Sequence, residues 1–356
     1  MDISISQVSY TPFDGYYTGE LTLKIKGKDV IDEMVNSIRR AAEKCIPVYA
    51  FPSELIKITT NNCIAFDNDY MSRTIINNIP IPYCDPELYF LHDKYWRNVK
   101  FSEDSREKHP NEIDIDFYVN AENKEHDIIE VDASDASVEL RINNEKSDKY
   151  NLTKDLCIVK LRPNDKFSCH AKAVLGVGEN NTIWSSANGG RYNPETGIFT
   201  ICSNGQINEY NILIRACKYL SKKVTDLKDQ LIETYNTLDK RNLYEFLLHN
   251  ENHTIGNIIN YEFQSHKDTI SSAIVKPDHM KNQVVIKVES NNLKKTINES
   301  CDRIIKLLAT YEEQFTNLRD KNTSEDMLNK YKIVMDNKVV EKPKDKKPKK
   351  TRSNSK

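Results

Sequence analysis

The chain has 356 residues, 38% hydrophobic and 29% charged, with a formal net charge of −2. That length supports two or three domains and a sizeable core, and no apolar run approaches a membrane span. Met1-Asp2-Ile3-Ser4 does not begin a basic region followed by an apolar stretch, so no secretory leader is expected.

Charge is spread unevenly. Residues 338–356 hold nine Lys/Arg against Glu341 and Asp345, which puts +7 in the tail and −9 in the remainder. The body is therefore not a basic nucleic-acid-binding surface. Cys45, Cys63, Cys84, Cys157, Cys169, Cys202, Cys217 and Cys301 are scattered without a C-x-x-C pair. Zinc sites need closely spaced ligands, and disulfide frameworks belong to small secreted chains. Reduced, mostly buried thiols are the expectation.

Leu21, Leu23 and Ile25 alternate with polar residues as in a half-buried strand, which Gly27 ends. Asp29 is the expected N-cap of the next helix. Val30, Met34, Ile38, Ala42 and Cys45 give that helix one apolar face, and Pro47 stops it. Between Val48 and Asp155 the strand-like segments Leu55–Thr59, Ile113–Val119, Ile128–Val131 and Ser137–Ile142 sit among acidic turns. Lys100–Asn111 is a charged loop. This stretch reads as a small, mainly β insertion. Leu156–Leu161 then resumes as a strand, and Gly176-Val177-Gly178 and Asn188-Gly189-Gly190 mark turns.

A long helix is predicted over Glu209–Leu238, with Ile212, Ala216, Tyr219, Lys223, Leu227, Leu231 and Tyr235 on one face. Lys223 is the polar member of that stripe. Tyr244, Phe246 and Leu248 alternate as a strand, and Ile255, Ile258, Ile259 and Phe263 form a short helical stripe. Ile270–Val275 and Val284–Val288 read as strands joined around Pro277-Asp278-His279. A last helix covers Leu293–Leu318, with Ile297, Cys301, Ile304, Leu308, Tyr311 and Phe315 on one side. Beyond Lys321 the Lys/Pro-rich end cannot bury enough apolar area to order itself. The fold class is α+β. Each half reads strand, helix, strands, long helix, and only the first half carries an insertion.

Asn36-Ser37-Ile38-Arg39-Arg40 opens the first short helix, and His253-Thr254-Ile255-Gly256-Asn257 opens its counterpart over two hundred residues later. With Ile46-Pro47-Val48, the Asp69–Ile81 segment and Gly176-Val177-Gly178 followed by Trp184-Ser185, the first half resembles the larger α-like assembly subunit of multisubunit RNA polymerases. Ile75 departs from that pattern, since many members carry arginine there. The second half, with Asn250-Glu251-Asn252 before the motif, Pro277-Asp278-His279 and Tyr311-Glu312-Glu313-Gln314-Phe315, is similar to the smaller partner. Two partners in one chain look like the fused subunit of large cytoplasmic DNA viruses.

The resemblance covers residues 15–320. It implies a discontinuous dimerisation domain (1–50 and 155–238), an insert domain (51–154), a second dimerisation domain (239–320) and a disordered basic tail (321–356). It implies a non-catalytic platform that docks the largest and second-largest polymerase subunits and small zinc-binding subunits, meeting nucleic acid only through the holoenzyme. The polymerase's Asp-x-Asp-Gly-Asp magnesium motif is absent here. Expected interface residues are Asn36, Arg39, Arg40, Pro47, Gly176, Gly178, Trp184, His253, Thr254, Gly256, Asn257, Tyr311 and Phe315. Neither cofactor nor metal is expected, because the insert holds only Cys63 and Cys84. The implied location is intracellular: host cytoplasm and virion for a virus, nucleus otherwise, with no membrane association.

Two other classes compete. Asp114 and Asp116, with His109 or His126 nearby, would serve a stand-alone metal-dependent enzyme, whereas a solvated strand edge is the plainer reading of the acidic pair. The tail would serve a nucleic-acid-binding protein, or only keep the chain soluble. His253 reads as a helix-start residue rather than a metal ligand, and Gly256 as a packing glycine rather than part of a phosphate loop.

Overall fold

The computed structural model describes residues 1–13, 18–62, 66–101, 106–142, 145–147, 156–237, 243–278, 280–281 and 283–325. The chain is an α+β protein, and no described helix is long and apolar enough to cross a membrane.

Strands β1 (Ser4–Pro12) and β2 (Gly19–Lys26) form a hairpin that leads into helix α1 (Asp32–Lys44). Strand β2 turns Leu21, Leu23 and Ile25 inward in strict alternation. Helix α1 buries Met34, Val35, Ile38, Ala41 and Ala42 along one side. Its N-cap position is Ile31, not the expected Asp29. Asp29 instead accepts the Asp2 backbone N–H at 2.8 Å, and the first-turn acids Asp32 and Glu33 face the helix dipole.

After α1 come β3 (Val48–Ala50), β4 (Ile56–Asn61) and one turn of helix α2 (Asn68–Tyr70), which widens into a π turn and ends in a 3-10 turn at Asn78. Strands β5 (Asp114–Glu122), β6 (Ile129–Asp132), β7 (Ser137–Ile142), β8 (Glu145–Ser147), β9 (Cys157–Leu161) and β10 (Lys166–Gly176) follow. The sheet order is β3-β10-β5-β7-β8, with β4 also on β10, and β6 pairs β9 separately. These strands enclose a core that includes Phe51, Phe117, Phe167 and Leu175.

Leu156–Leu161, expected as a strand, pairs with Ile129–Asp132, and Ile158, Val159 and Leu161 enter this second core. Its apolar pattern shows that it is a strand, but not which sheet receives it. The end of β10 reaches both cores. There Val174↔Ala50 and Gly176↔Val48 pair with Leu175↔Tyr49 between them. Val48, Ala50 and Val174 belong to the first core, whereas Tyr49 and Leu175 belong to the second. The period of two thus makes the β3/β10 ladder one wall shared by two cores.

Strands β11 (Ala187–Asn193) and β12 (Ile198–Ser203) complete the first sheet, in the order β1-β2-β12-β11. Helix α3 (Glu209–Thr237) then runs 29 residues. Strand β13 (Leu243–His249), helix α4 (His253–Ser265) and strands β14 (Thr269–Val275) and β15 (Gln283–Ser290) form the second unit, with sheet order β13-β15-β14. Helix α5 (Leu293–Asn322) closes the described chain. Helices α3 and α5 make the most extensive helix–helix contact among the described residues. Leu213, Cys217, Leu220, Val224 and Leu227 of α3 share one core with Ile297, Cys301, Ile304, Leu308, Tyr311 and Phe315 of α5. Gln314 of α5 also caps the edge of β1: its side-chain oxygen accepts the Ile5 N–H at 2.7 Å, and its nitrogen donates to the Ile3 carbonyl. The basic end of the chain, residues 326–356, lies outside the described residues, as do Cys63 and His279.

Glu209, the first residue of α3, is 1% exposed and accepts the Gly19 N–H at 2.8 Å. Burial pushes its carboxyl up to about 7. The folded chain therefore keeps a proton that the unfolded chain releases above the ordinary glutamate range. The neutral carboxyl favours the fold fully at acid pH, and that contribution is lost as pH rises through about 7. Urea unfolding is expected to show stability falling by about 3 kcal/mol between pH 4.5 and 7.5 from this group. Glu209→Gln, which keeps the acceptor, should remove that decline; an unchanged decline in the variant contradicts the assignment.

Candidate functional site

The two motif copies meet in space. Ser37 on α1 donates its hydroxyl to the Thr254 carbonyl in the first turn of α4, at 2.8 Å across 217 residues of sequence. Asn252 fixes that turn by accepting the Thr254 N–H at 2.8 Å. Gly256 lets α4 approach its sheet: a Cβ there would lie 2.2 Å from Ile274 Cδ1 and 3.4 Å from Val284 Cγ2. Ser37 is buried, and the Thr254 carbonyl gives its hydroxyl the partner that a buried polar group needs.

The adjacent arginines separate as helix geometry requires, about a hundred degrees apart. Arg39 Nη1 donates to Glu43 Oε2 at 3.2 Å and to the Gly190 carbonyl at 3.4 Å, while Glu43 Oε1 accepts the Gly190 N–H at 3.0 Å. Together they satisfy the backbone of β11 where its register shifts between Asn188 and Arg191. Arg40 turns to the other side and lines a cleft with Lys44, Arg97, Lys223, Glu251 and Asn252.

Six of the thirteen expected interface residues are buried inside this chain: Pro47, Gly176, Trp184, Gly256, Tyr311 and Phe315. Trp184 donates its indole N–H to the Val174 carbonyl at 2.8 Å, and a Cβ on Gly176 would lie 2.7 Å from that ring. Tyr311 and Phe315 sit in the core shared with α3. Their contacts are intramolecular and leave no surface for an external partner. Asn36, Arg39, Arg40, Gly178, His253, Thr254 and Asn257 keep partial exposure. For Gly178 the constraint is again internal, since a Cβ would lie 2.8 Å from the Glu43 carbonyl oxygen.

Sequence reasoning missed the pair behind the cleft. Lys223, the polar interruption in the α3 stripe, binds Glu251 Oε1 at 2.9 Å. Burial pushes the Glu251 carboxyl up, and the Lys223 charge partly offsets this. A lysine inside an apolar helical stripe and a glutamate just before the Asn252 cap were the available signals; their pairing depends on α3 meeting the second unit. Cys45 also lines the cleft, and burial pushes its thiol up to about 12, which excludes a resting thiolate nucleophile.

The acidic pair departs from expectation. Strand β5 lies between β10 and β7, so Asp114 and Asp116 are on a central strand, not a solvated edge. Asp116 is buried and accepts from, or donates to, neither expected histidine; its partner is His170 Nε2 at 2.9 Å, with Arg141 at 3.9 Å. His109 stacks edge-on against Tyr95. Among the described residues, Glu130, Asp132 and Cys157 bring their ligand atoms within 4.8 Å of one another, but Lys160 already pairs Glu130.

No protein-family model matches the chain. Over 263 residues it is 24% identical to a protein of Acanthamoeba polyphaga mimivirus named "Putative DNA directed RNA polymerase subunit". The alignment covers 67% of this chain and 73% of that protein.

The two arginines should separate experimentally. Arg39→Ala is expected to destabilise the chain by about 1 kcal/mol, because the Gly190 carbonyl and Glu43 lose a partner. Arg40→Ala should stay within about 0.5 kcal/mol of the parent. Denaturant unfolding of both variants checks this, and a larger loss for Arg40→Ala would reverse the assignment.

Proposed function

We propose that the chain is a non-catalytic assembly subunit of a DNA-directed RNA polymerase, built as an intramolecular α-like heterodimer. The observation that carries the reading is the meeting of the two motif copies, Ser37 on Thr254, above one core common to both units. The similarity to the mimivirus protein supports membership of a polymerase. The acidic body charge favours protein partners over direct nucleic-acid contact.

In this reading residues 1–50 and the stretch from the end of β10 to Thr237 are the larger partner's unit. The β-rich stretch through most of β10 is the insert, and residues 243–322 are the smaller partner's unit. Fusion replaces association of two subunits by a fixed internal contact at high effective concentration. The platform then docks the two largest subunits and small zinc-binding subunits through the half-exposed motif face. The chemistry of nucleotide addition, with its two metal ions, belongs to those large subunits. Such a protein works inside the infected or host cell.

The test is affinity purification of the tagged full chain from its native source. Two very large subunits at equal stoichiometry, with DNA-dependent RNA synthesis in the eluate, are expected. A monodisperse chain without large partners contradicts the reading.

A further inference from the structure

The two sheets packed on the common core differ by one strand. Strand β2 leads into α1 as β13 leads into α4, and β11 and β12 precede α3 as β14 and β15 precede α5. The matched orders are β2-β12-β11 and β13-β15-β14. Inward residues match as well: Leu21, Leu23 and Ile25 on β2 correspond to Tyr244, Phe246 and Leu248 on β13, all buried. In the first sheet β1 lies on the outer side of β2. Among the described residues β15 alone pairs with β13, so the corresponding place beside β13 is open.

The pleat fixes which backbone groups face that opening. Ile25 sends its N–H to Gly197, just before β12, and Ile5 opposite sends its own to Gln314. The ladder bonds between β1 and β2 therefore fall on the intervening residues such as Lys24. By the same alternation Leu243, Glu245 and Leu247 turn their N–H and C=O away from β15. Among the described residues no side chain caps these groups as Gln314 caps β1.

Edge strands are usually blunted by irregularity, proline or charge. Three of the four edges of these sheets follow that rule. Strand β1 carries an extra residue at Val8 and ends in Pro12, β11 has its extra residue between Asn188 and Arg191, and β14 has one at Ile270. Strand β13 instead pairs in unbroken register from Leu243↔Glu289 to His249↔Gln283. It contains no proline, and its one acidic side chain, Glu245, is paired with Lys287 at 2.7 Å. Leu243 and Leu247 are 51% and 46% exposed along it.

The chain's own segments are badly placed to fill the opening. Residues 238–242 alone connect α3 to β13, which leaves no room for a helix exit, a hairpin turn and a strand. The C-terminal end departs from the far end of α3. Asn322 reaches Tyr210 at 3.4 Å and Arg319 reaches Asn211 at 3.0 Å, in the first turn of α3. Tyr244 packs on Tyr235 in its last turn, with ring centroids 5.7 Å apart. The 29 residues of α3 span about 43 Å. Crossing that distance takes about a dozen extended residues, which brings the stretch from Lys338 onward to β13. Pro343 and Pro348 in that stretch have no N–H to give a ladder.

We infer that β13 accepts an extended segment of another polypeptide as a fourth strand, antiparallel, in the place that β1 takes on β2. The segment has about five to seven residues, with apolar side chains alternating toward the core beside Tyr235. Across from Glu245 it carries a neutral or basic side chain, and β1 itself has no charged residue. This adds a contact to the polymerase-assembly reading without depending on it.

The test uses the tagged full chain purified from its native source together with whatever it retains. In hydrogen–deuterium exchange, the amides of Leu243, Glu245 and Leu247 should exchange at least about tenfold more slowly in that complex than in the chain alone. A benzophenone-bearing residue placed at position 247 should, on irradiation, join to an alternating apolar and polar segment of one other polypeptide. Glu245→Pro removes an N–H that β15 does not use. It should abolish both the protection and the link while the melting temperature holds. Leu247→Lys leaves the backbone intact and should lower recovery of that polypeptide about tenfold, which covers the case in which the proline variant does not fold. Equal exchange in the complex and in the chain alone overturns the inference. So do links only to residues 326–356 of the same chain or to β13 of a second copy, and undiminished recovery with Leu247→Lys. If large subunits co-purify while these amides stay unprotected, this inference fails and the assembly reading stands. If protection and link appear without large subunits, the assembly reading fails and this inference stands.

Discussion

The packing of α3 against α5 is the interaction on which the rest of the structure depends. Each helix contributes about eight turns, and their apolar faces share one core with both small sheets. The four-stranded and three-stranded sheets each turn an apolar face into that core. Burial of side chains such as Leu220, Val224, Ile304 and Leu308 removes each from water at about 2 kcal/mol apiece. Much of that gain goes to ordering the chain, which leaves the small net stability usual for proteins. Without this contact the two halves would each expose a helix face and seek another partner.

From that contact follows the placement of α1 and α4. Both ride on the central core, and their first or second turns touch through Ser37 and Thr254. The β3/β10 ladder then fastens the insert to the same frame by giving alternate residues to two cores. Helical rotation divides the two adjacent arginines between roles. Arg39 completes the backbone of β11, and Arg40 overhangs the composite cleft. One short motif thus contributes a fold contact and an accessible cation.

Local pattern carried much of the fold. Ser137–Ile142 and the second-unit strands, together with both long helices, follow from alternation or helical periodicity at nearly the observed bounds. The failures share a cause: they depend on what a segment packs against. Nothing in Leu156–Leu161 names β6 as its neighbour, and nothing in Asp114-Ile115-Asp116 says that β7 covers the outer side of β5. Asp29 has capping chemistry, but the Asp2 N–H draws it away from the helix. For the candidate site, the motif positions were legible through resemblance, whereas their division into buried and exposed was not. Tyr311 and Phe315 face α3, and Lys223 finds Glu251, only once the two units come together.

One core common to both units predicts that they melt as one cooperative body. The direct measurement is calorimetry of the full chain with a protease site placed within residues 238–242, before and after cutting. The intact chain should melt with the two units in one transition. The cut chain should still melt as one, at a midpoint that rises with protein concentration because the halves now associate bimolecularly. Separate melting of residues 243–322 at a midpoint unaffected by cutting or dilution would contradict the account.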